Sequence, residues 1–348
     1  MRLFTTAVLF LLMPLHSSCQ ETQKLYVCPP CAVHDTLSFG QDGVCPVCGM
    51  NLIVNTDSTI VNNISIKTGS GNFLVEGGAD HKEKTITVFY HKPGNFNQES
   101  PILMVIPGSA RNGWDYRDAW IEASEKQGIL ILSPHYSEEY YPEFWSYNLG
   151  GMIEDVKINE ERTTMLSYNI NNESEEWIWQ DFDRIFNYMK VELALEAETY
   201  DMFGHSAGGQ ILHRLSLFNS DNKANRMLAS NSGWYTIPSA NDNFPYGLKG
   251  IMTIDKKVKK AFKGNLVVFI GQEDDENETR GHLVRSPETD KQGTHRLARG
   301  KYFYNKSKIY ADSLETEFNW ELKVIPGIGH DYERMSKAAA KYLYEIRE

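Results

Sequence analysis

The chain has 348 residues, a hydrophobic share of 41%, and 18 Tyr, 16 Phe and 7 Trp, which is material for one large globular domain and a small appendage. Its formal net charge of −11 argues against a nucleic-acid partner, because neutralising phosphates takes clustered Lys and Arg. One basic cluster, Lys256, Lys257, Lys259, Lys260 and Lys263, reads as a solvated face.

Arg2 and the apolar run Leu3 to Leu15 read as an export signal, too short to span a bilayer. Ser17-Ser18-Cys19 follows. The arrangement resembles a bacterial lipoprotein signal, in which Cys19 becomes the lipidated N-terminus. His16 stands where that family usually has an aliphatic residue, so simple secretion after cleavage is the alternative. Residues 1–19 are therefore expected to send the mature protein to the periplasm or cell surface, with a lipid as its contact to the membrane. No later segment is apolar enough to cross a bilayer.

All five cysteines, Cys19, Cys28, Cys31, Cys45 and Cys48, lie in the first fifty residues. Residues 20–55 hold two Cys-x-x-Cys pairs separated by residues 32–44. Each pair can form a knuckle, and two knuckles supply a tetrahedral thiolate site. So short a segment cannot bury enough apolar surface to fold unaided, and a metal would supply the missing free energy. Disulfides between the knuckles are the alternative in an exported protein. The segment resembles the small heavy-metal-binding domain at the front of metal-efflux proteins. Cys45-Pro46-Val47-Cys48-Gly49-Met50-Asn51-Leu52 matches its Cys-Pro-x-Cys-Gly-Met-x-Leu. Pro30 and Cys31 stand where Met and His are usual, which implies four thiolates and a structural zinc. His34 is either a further ligand or a loop residue.

Residues 56–79 read as a linker running into an edge strand near 64–66 or 72–75. From residue 80 the pattern changes. Thr85 to Tyr90, Pro101 to Ile106 and Ile129 to Pro134 read as strands, the second and third buried on both faces. A helix is expected between them over 115–126, and strand-helix-strand with a doubly buried sheet points to an α/β domain. Residues 135–175 interrupt with Tyr136, Tyr140, Tyr141, Phe144, Trp145 and Tyr147, an aromatic insertion that either covers a substrate or packs on the body. Helical periodicity returns at 177–189, a strand follows at 199–203, and further strands are expected near 227–235, 265–270 and 320–325. The last helix spans 332–347.

The central motif is Gly204-His205-Ser206-Ala207-Gly208. A Gly-x-Ser-x-Gly between strand and helix demands a tight turn with the serine strained at its apex. Asp274 and His330 each follow a predicted strand, in the order nucleophile, acid, base. Ligands and reacting groups collect at such strand ends in open parallel sheets. His330 would take the Ser206 proton, Asp274 would orient the imidazole, and backbone N–H groups of Ala207 and Ser109 would form an oxyanion hole. Asp275 is the alternative acid; His282 and His295 are alternative bases in turn-rich sequence. His205 and His213 read as structural. Arg111, Trp145 and Trp234 are candidate substrate contacts.

Residues 80–348 resemble an α/β-hydrolase of the esterase and polyhydroxyalkanoate-depolymerase-like group. The resemblance rests on Pro107-Gly108 with Arg111-Asn112, the Gly204–Gly208 elbow, Gly233-Trp234-Tyr235, Gly271-x-x-Asp274, His295-Arg296-x-x-Arg299-Gly300 and Gly327-x-Gly329-His330-Asp331. It implies a doubly wound, mostly parallel sheet and a carboxylic-ester hydrolase working through an acyl-enzyme without a catalytic cofactor, on a small-molecule or polymeric ester. A serine peptidase on the same fold is the alternative enzyme. A metal-binding or trafficking protein with a non-catalytic hydrolase scaffold is the alternative of another class.

Overall fold

The computed structural model describes residues 26–27, 38–39, 41, 43–44, 52–54, 66–78, 83–160, 164–251 and 254–345. The export signal, His34 and all five cysteines lie outside these residues, and with them the expected zinc site and lipid anchor. Near the N-terminus β1 (Tyr26–Val27), β2 (Ser38–Phe39) and β3 (Ile53–Val54) form a small antiparallel sheet with β1 in the middle.

The large sheet begins with β4 (Gly69–Val75), β5 (Ile86–Lys92) and β6 (Ile102–Ile106). Helices α1 (Gly113–Asp118) and α2 (Ile121–Gln127) lead to β7 (Leu130–His135). An insertion then carries α3 (Phe144–Tyr147) and a two-stranded hairpin, β8 (Ile153–Ile158) with β9 (Met165–Ile170). The main fold resumes with α4 (Gln180–Glu192), β10 (Tyr200–His205), α5 (Ala207–Phe218), β11 (Ala224–Ser230), α6 (Ile254–Phe262) and β12 (Leu266–Gly271). It closes with α7 (Pro287–Asp290), α8 (Arg296–Ser313), β13 (Glu321–Ile325) and α9 (Tyr332–Tyr344).

The eight-stranded sheet has the order β13-β12-β11-β10-β6-β7-β5-β4. It is parallel from β13 to β7, with β5 antiparallel to both β7 and β4. Strand β6, Ile102 to Ile106 in the middle of the sheet, is apolar at every position because both faces are covered. In β6, Ile102, Met104 and Ile106 enter one core while Leu103 and Val105 enter the other. Residues from α1, α2 and α9 pack on the second face; α4, α5, α6 and α8 pack on the first. The expected doubly wound, mostly parallel sheet is thus present. The single helix expected over 115–126 is two, separated by a turn that seats the Trp120 ring 5.4 Å from Phe203.

Helix α5 comes unusually close to the sheet, and glycine makes this geometry available. A Cβ on Gly208 would lie 2.1 Å from the Ile106 carbonyl oxygen, and one on Gly204 would lie 2.5 Å from the Gly208 carbonyl. One on Gly209 would lie 2.5 Å from the Ser230 carbonyl oxygen. These neighbours are backbone atoms that cannot swing aside. Gly209→Ala should therefore push α5 off β11 and cost about 1–3 kcal/mol, the range for overpacking a core; thermal unfolding of the two proteins checks this.

Candidate functional site

Ser206 sits between β10 and α5 with φ 57° and ψ −111°, a conformation that non-glycine residues adopt at a free-energy cost. The tight turn forces it. The backbone N–H of Ser206 donates to the Ser230 carbonyl at 2.9 Å, and its carbonyl accepts from Gln210 N at 3.1 Å, starting α5. Residue 207 is therefore the first of the helix, where N–H groups lack an intrahelical partner. Among the described residues, neither Ala207 N nor Ser109 N donates to another backbone group. Both residues line one cavity with Ser206.

Asp274 and His330 meet at the ends of β12 and β13. The His330 Nδ1–H donates to Asp274 Oδ2 at 2.8 Å, and both side chains are buried. That bond fixes the tautomer and leaves Nε2 as the nitrogen able to take a proton. Asp274 also accepts from Asn231 Nδ2 at 2.7 Å and from Arg296 Nη1 at 3.2 Å. The carboxylate thus has a hydrogen-bond partner on each oxygen and stays fixed. Glu278 Oε2 accepts from the His330 backbone N–H at 2.6 Å and from Arg280, which holds its carboxyl down at about 2. The Cβ that Gly281 lacks would lie 3.0 Å from His330 Nε2, so the loop after β12 crosses the imidazole there. Ser206 Oγ and His330 Nε2 make no hydrogen bond to each other, although the neighbouring His205 and His330 rings lie 4.6 Å apart. Such bonds often tighten only when substrate binds.

Of the alternative residues, Asp275 accepts hydrogen bonds from Asn277 in a turn. His295 caps α8 by accepting from Ala298 N. His282 is exposed at the cavity wall. None of the three pairs with the Ser206 elbow.

The cavity beside Ser206 has a volume of about 560 Å³. Its floor is Ser206, Ala207 and Gln210; its walls include Trp234, Leu283 and Val284; and Phe144, Ile158 and Met165 come from the insertion. Trp234, a candidate substrate contact, lines this cavity. Arg111 does not line the cavity: it has φ 55°, and its guanidinium is buried 5.0 Å from the Tyr147 ring and paired with Glu138. Trp145 packs against Phe144, with centroids 5.1 Å apart, and also lies outside the lining. Most of the insertion's aromatics serve packing. The Tyr136 hydroxyl donates to Asp181 Oδ2 at 3.1 Å, and the Tyr147 hydroxyl donates to the Pro107 carbonyl at 2.8 Å, bracing the loop that carries Ser109.

Three buried arginines absent from the sequence-based site set hold the cavity's walls. Arg214 Nη1 donates to the Asn148 carbonyl, and Arg296 Nη2 to that of His282. Arg299 donates to the carbonyls of Gly233 and Val284. All four acceptor residues line the cavity. Burial drives Arg214 down to about 9 and Arg299 down to about 10. The signal for two of them was present in the His295-Arg296-x-x-Arg299-Gly300 stretch. Asn231 carried no signal; it sits at the end of β11 with φ 47° and bonds to Asp274 and to the Gly329 carbonyl.

Among the described residues there is no group of three or more His, Cys, Asp or Glu side chains able to hold a metal, and no helix long and apolar enough to cross a membrane.

No family model matches the chain, and no curated protein matches it. Solved structures do. The chain is similar to the poly(aspartic acid) hydrolase-1 from Sphingomonas sp. KT-1, at 34% identity and TM-score 0.70 over 80% of this chain and 100% of that one. It is similar to LpqC, a poly(3-hydroxybutyrate) depolymerase from Bordetella parapertussis, at 28% identity and TM-score 0.71 over 81% and 92%. The siderophore hydrolase EstA from Aspergillus nidulans shares the fold, at 16% identity and TM-score 0.51 over 83% and 100%.

Two histidines flanking the elbow are fully buried, and both are held well below the ordinary value of 6.5. For His205 the causes are burial and then the charges of His330, Arg296 and Arg280; for His213 they are burial and then Arg214. His213 Nδ1 donates to the Gly209 carbonyl at 3.1 Å while Nε2 accepts from Thr236 N at 3.0 Å. Protonating Nε2 would break the second bond. The unfolded chain gains a proton near 6.5 that the folded chain refuses, so this stability is complete above 6.5 and declines as pH falls below it. The decline is at most about 1.4 kcal/mol per pH unit per histidine. His213→Gln should lower stability at pH 7.5 and also flatten the fall between pH 6.5 and 5. Urea midpoints across that range test both parts.

Proposed function

We propose, for a chain that belongs to the α/β-hydrolase family of the poly(aspartic acid) hydrolase, that it is a serine hydrolase cleaving carboxylic esters through an acyl-enzyme. Ser206 is the nucleophile, His330 the base and Asp274 the orienting acid. The observation that carries this reading is the buried Asp274–His330 pair, with Nδ1 at 2.8 Å from Oδ2, beside a serine on a strained turn that opens into a cavity. Ser206 Oγ attacks the ester carbonyl as its proton passes to His330 Nε2. Asp274 stabilises the imidazolium without taking the proton. The negative oxygen of the tetrahedral intermediate accepts from the N–H groups of Ala207 and Ser109, each worth about 2.7–4 kcal/mol in the transition state. His330 then protonates the leaving alcohol, and water, activated by the same nitrogen, releases the acid.

One observation favours a second reading. The 34% identical relative is named for poly(aspartic acid), a polyamide, and the same triad chemistry serves amides. Assays on p-nitrophenyl esters, poly(3-hydroxybutyrate), poly(aspartic acid) and peptide amides separate the two.

The four-thiolate zinc at Cys28, Cys31, Cys45 and Cys48, the lipid at Cys19 and an exported location rest on the sequence alone. Metal analysis of protein purified under reducing conditions should find one zinc per chain; finding none removes that part.

A fluorophosphonate probe should label wild-type protein at Ser206 and fail on Ser206→Ala. That variant should lose at least about 10³-fold in kcat, and Asp274→Asn about 10⁴-fold, because the amide favours the wrong imidazole tautomer. Full esterase activity in Ser206→Ala would defeat the assignment.

A further inference from the structure

The two donors proposed for the oxyanion come from separate pieces of chain. Ala207 opens α5, while Ser109 lies in the loop after β6. Their N–H groups can serve one oxygen only if the loop and the elbow keep a fixed spacing. The two pieces touch at Gly108, where a Cβ would lie 3.6 Å from Ser206 Cβ and 3.8 Å from the His205 carbonyl oxygen. Contact alone leaves the loop free to slide, whereas a hydrogen bond has direction.

One side chain reaches both pieces. Tyr116, on α1, is buried, and the Cβ that Gly108 lacks would lie 2.8 Å from its hydroxyl oxygen. That oxygen receives a hydrogen bond from the Gly108 backbone N–H and lies 3.1 Å from His205 Nδ1. Burial raises the Tyr116 pKa above its ordinary value and drives that of His205 below its own. The hydroxyl therefore keeps its proton, and the imidazole is neutral. Since the oxygen accepts from Gly108, its own proton is given to Nδ1, because a buried donor without an acceptor is costly. The bonds run from the residue before Ser109, through one hydroxyl, to the residue before Ser206. The ring itself is held in place. It stacks on Tyr332 with centroids 4.4 Å apart and an interplanar angle of 21°, and Tyr332 begins α9, two residues after His330. The Tyr147 hydroxyl ties the loop to the insertion through Pro107; the Tyr116 hydroxyl ties it to the elbow.

We infer that Tyr116 is a positioning residue, whose hydroxyl sets the spacing of the Ala207 and Ser109 N–H groups by bridging Gly108 to His205. Tyr116 does not line the cavity and acts through the backbone on either side of it. The inference rests on the serine-hydrolase reading of the site and deepens it.

The test uses the full chain, with p-nitrophenyl acetate as substrate and two ketones as ligands. Ser206 Oγ adds to the carbonyl carbon of trifluoromethyl pentyl ketone, its proton passes to His330 Nε2, and the ketone oxygen becomes an oxyanion facing the two N–H groups. Methyl pentyl ketone fills the same cavity as an unreacted carbonyl. Tyr116→Phe removes the bridge and keeps the ring. It should lower kcat by about 10- to 100-fold with KM within about twofold, since a misplacement of about 1 Å can cost about 10²-fold. Affinity for the trifluoromethyl ketone should fall by the same factor, and affinity for methyl pentyl ketone should hold. His205→Leu removes the acceptor and should act alike; it serves if Tyr116→Phe does not fold, with thermal unfolding as the check on both. The double variant should lose little more than the worse single one, because both break one bridge. A tyrosine that only stabilises the fold would lower the unfolding temperature and leave the ratio of the two ketone affinities at its wild-type value. That ratio unchanged in both variants, or losses that multiply in the double variant, overturns the bridge while the serine-hydrolase reading stands. Wild-type protein that neither turns over the ester nor prefers the trifluoromethyl ketone defeats the hydrolase reading, and the bridge falls with it.

Discussion

The close approach of α5 to the strand ends of β6, β10 and β11 is the constraint from which the rest of the site follows. Three glycines remove the Cβ atoms that would strike the carbonyls of Ile106, Gly208 and Ser230. With the helix so close, the turn at residue 206 has no room for an ordinary backbone conformation, and the serine is held at positive φ. The same closeness brings the unpaired N–H groups at the start of α5 beside the loop after β6, where Ser109 lies. In the proposed mechanism these N–H groups are a preorganised donor pair that needs this rigidity, because donors that must reorganise during the reaction lose most of their value. The strain at Ser206 is offset by burial along α5, every residue of which is buried.

The strands were legible because of that same burial. Ile102 to Ile106 and Leu266 to Ile270 are apolar at each position, and only a strand covered on both faces requires that. Gly204 to Gly208 was legible because its chemistry is local, set by a turn five residues long. Asp274 and His330 were legible because each follows a predicted strand at the sheet's carboxyl end. Helix α8 was not legible, and the reason is physical. Only Phe303 and Ala311 among its buried positions are apolar, the others being Arg296, Arg299, Gly300 and Ser307, so its apolar stripe is too sparse for periodicity to detect. It is held by guanidinium hydrogen bonds to loop carbonyls, which depend on partners far away in sequence. Asn231 escaped for the same reason: its side-chain partners Asp274, Gly329 and Gly271 come from strand ends that only the folded sheet brings together. Helix α6 was half legible. Its lysines are the exposed face they were read as, while Val258, Ala261 and Phe262 form the buried face beneath them.

Arginine carries an unusual share of the cavity's construction. Arg214, Arg296 and Arg299 are almost wholly buried, and burying a cation costs free energy unless fixed dipoles replace water. The cavity loops provide those dipoles as backbone carbonyls: Asn148, Gly233, His282 and Val284 each accept from one of the three. The relation is reciprocal. The carbonyls solvate the charges, and the charges fix loops that have little regular structure of their own. A guanidinium suits this task better than an ammonium, because its planar fork reaches several carbonyls at set angles and remains charged when desolvation lowers its pKa.

The same arrangement links Asp274 to the shape of the cavity. Arg296 Nη1 donates to Asp274 while Nη2 donates to the carbonyl of His282, so one rigid plane spans the carboxylate and the wall. Arg299, three residues further along α8, grips the wall at Val284 and the loop after β11 at Gly233. A change in the loop after β12 would therefore reach Asp274 through a single side chain, and with it the orientation of His330. The cavity wall and the Asp274–His330 pair are coupled here by covalent geometry within one guanidinium. Phe303 and Ala311 seat the rest of α8 in the core, and what its first turn adds is registry between Asp274 and the cavity, supplied by its two arginines.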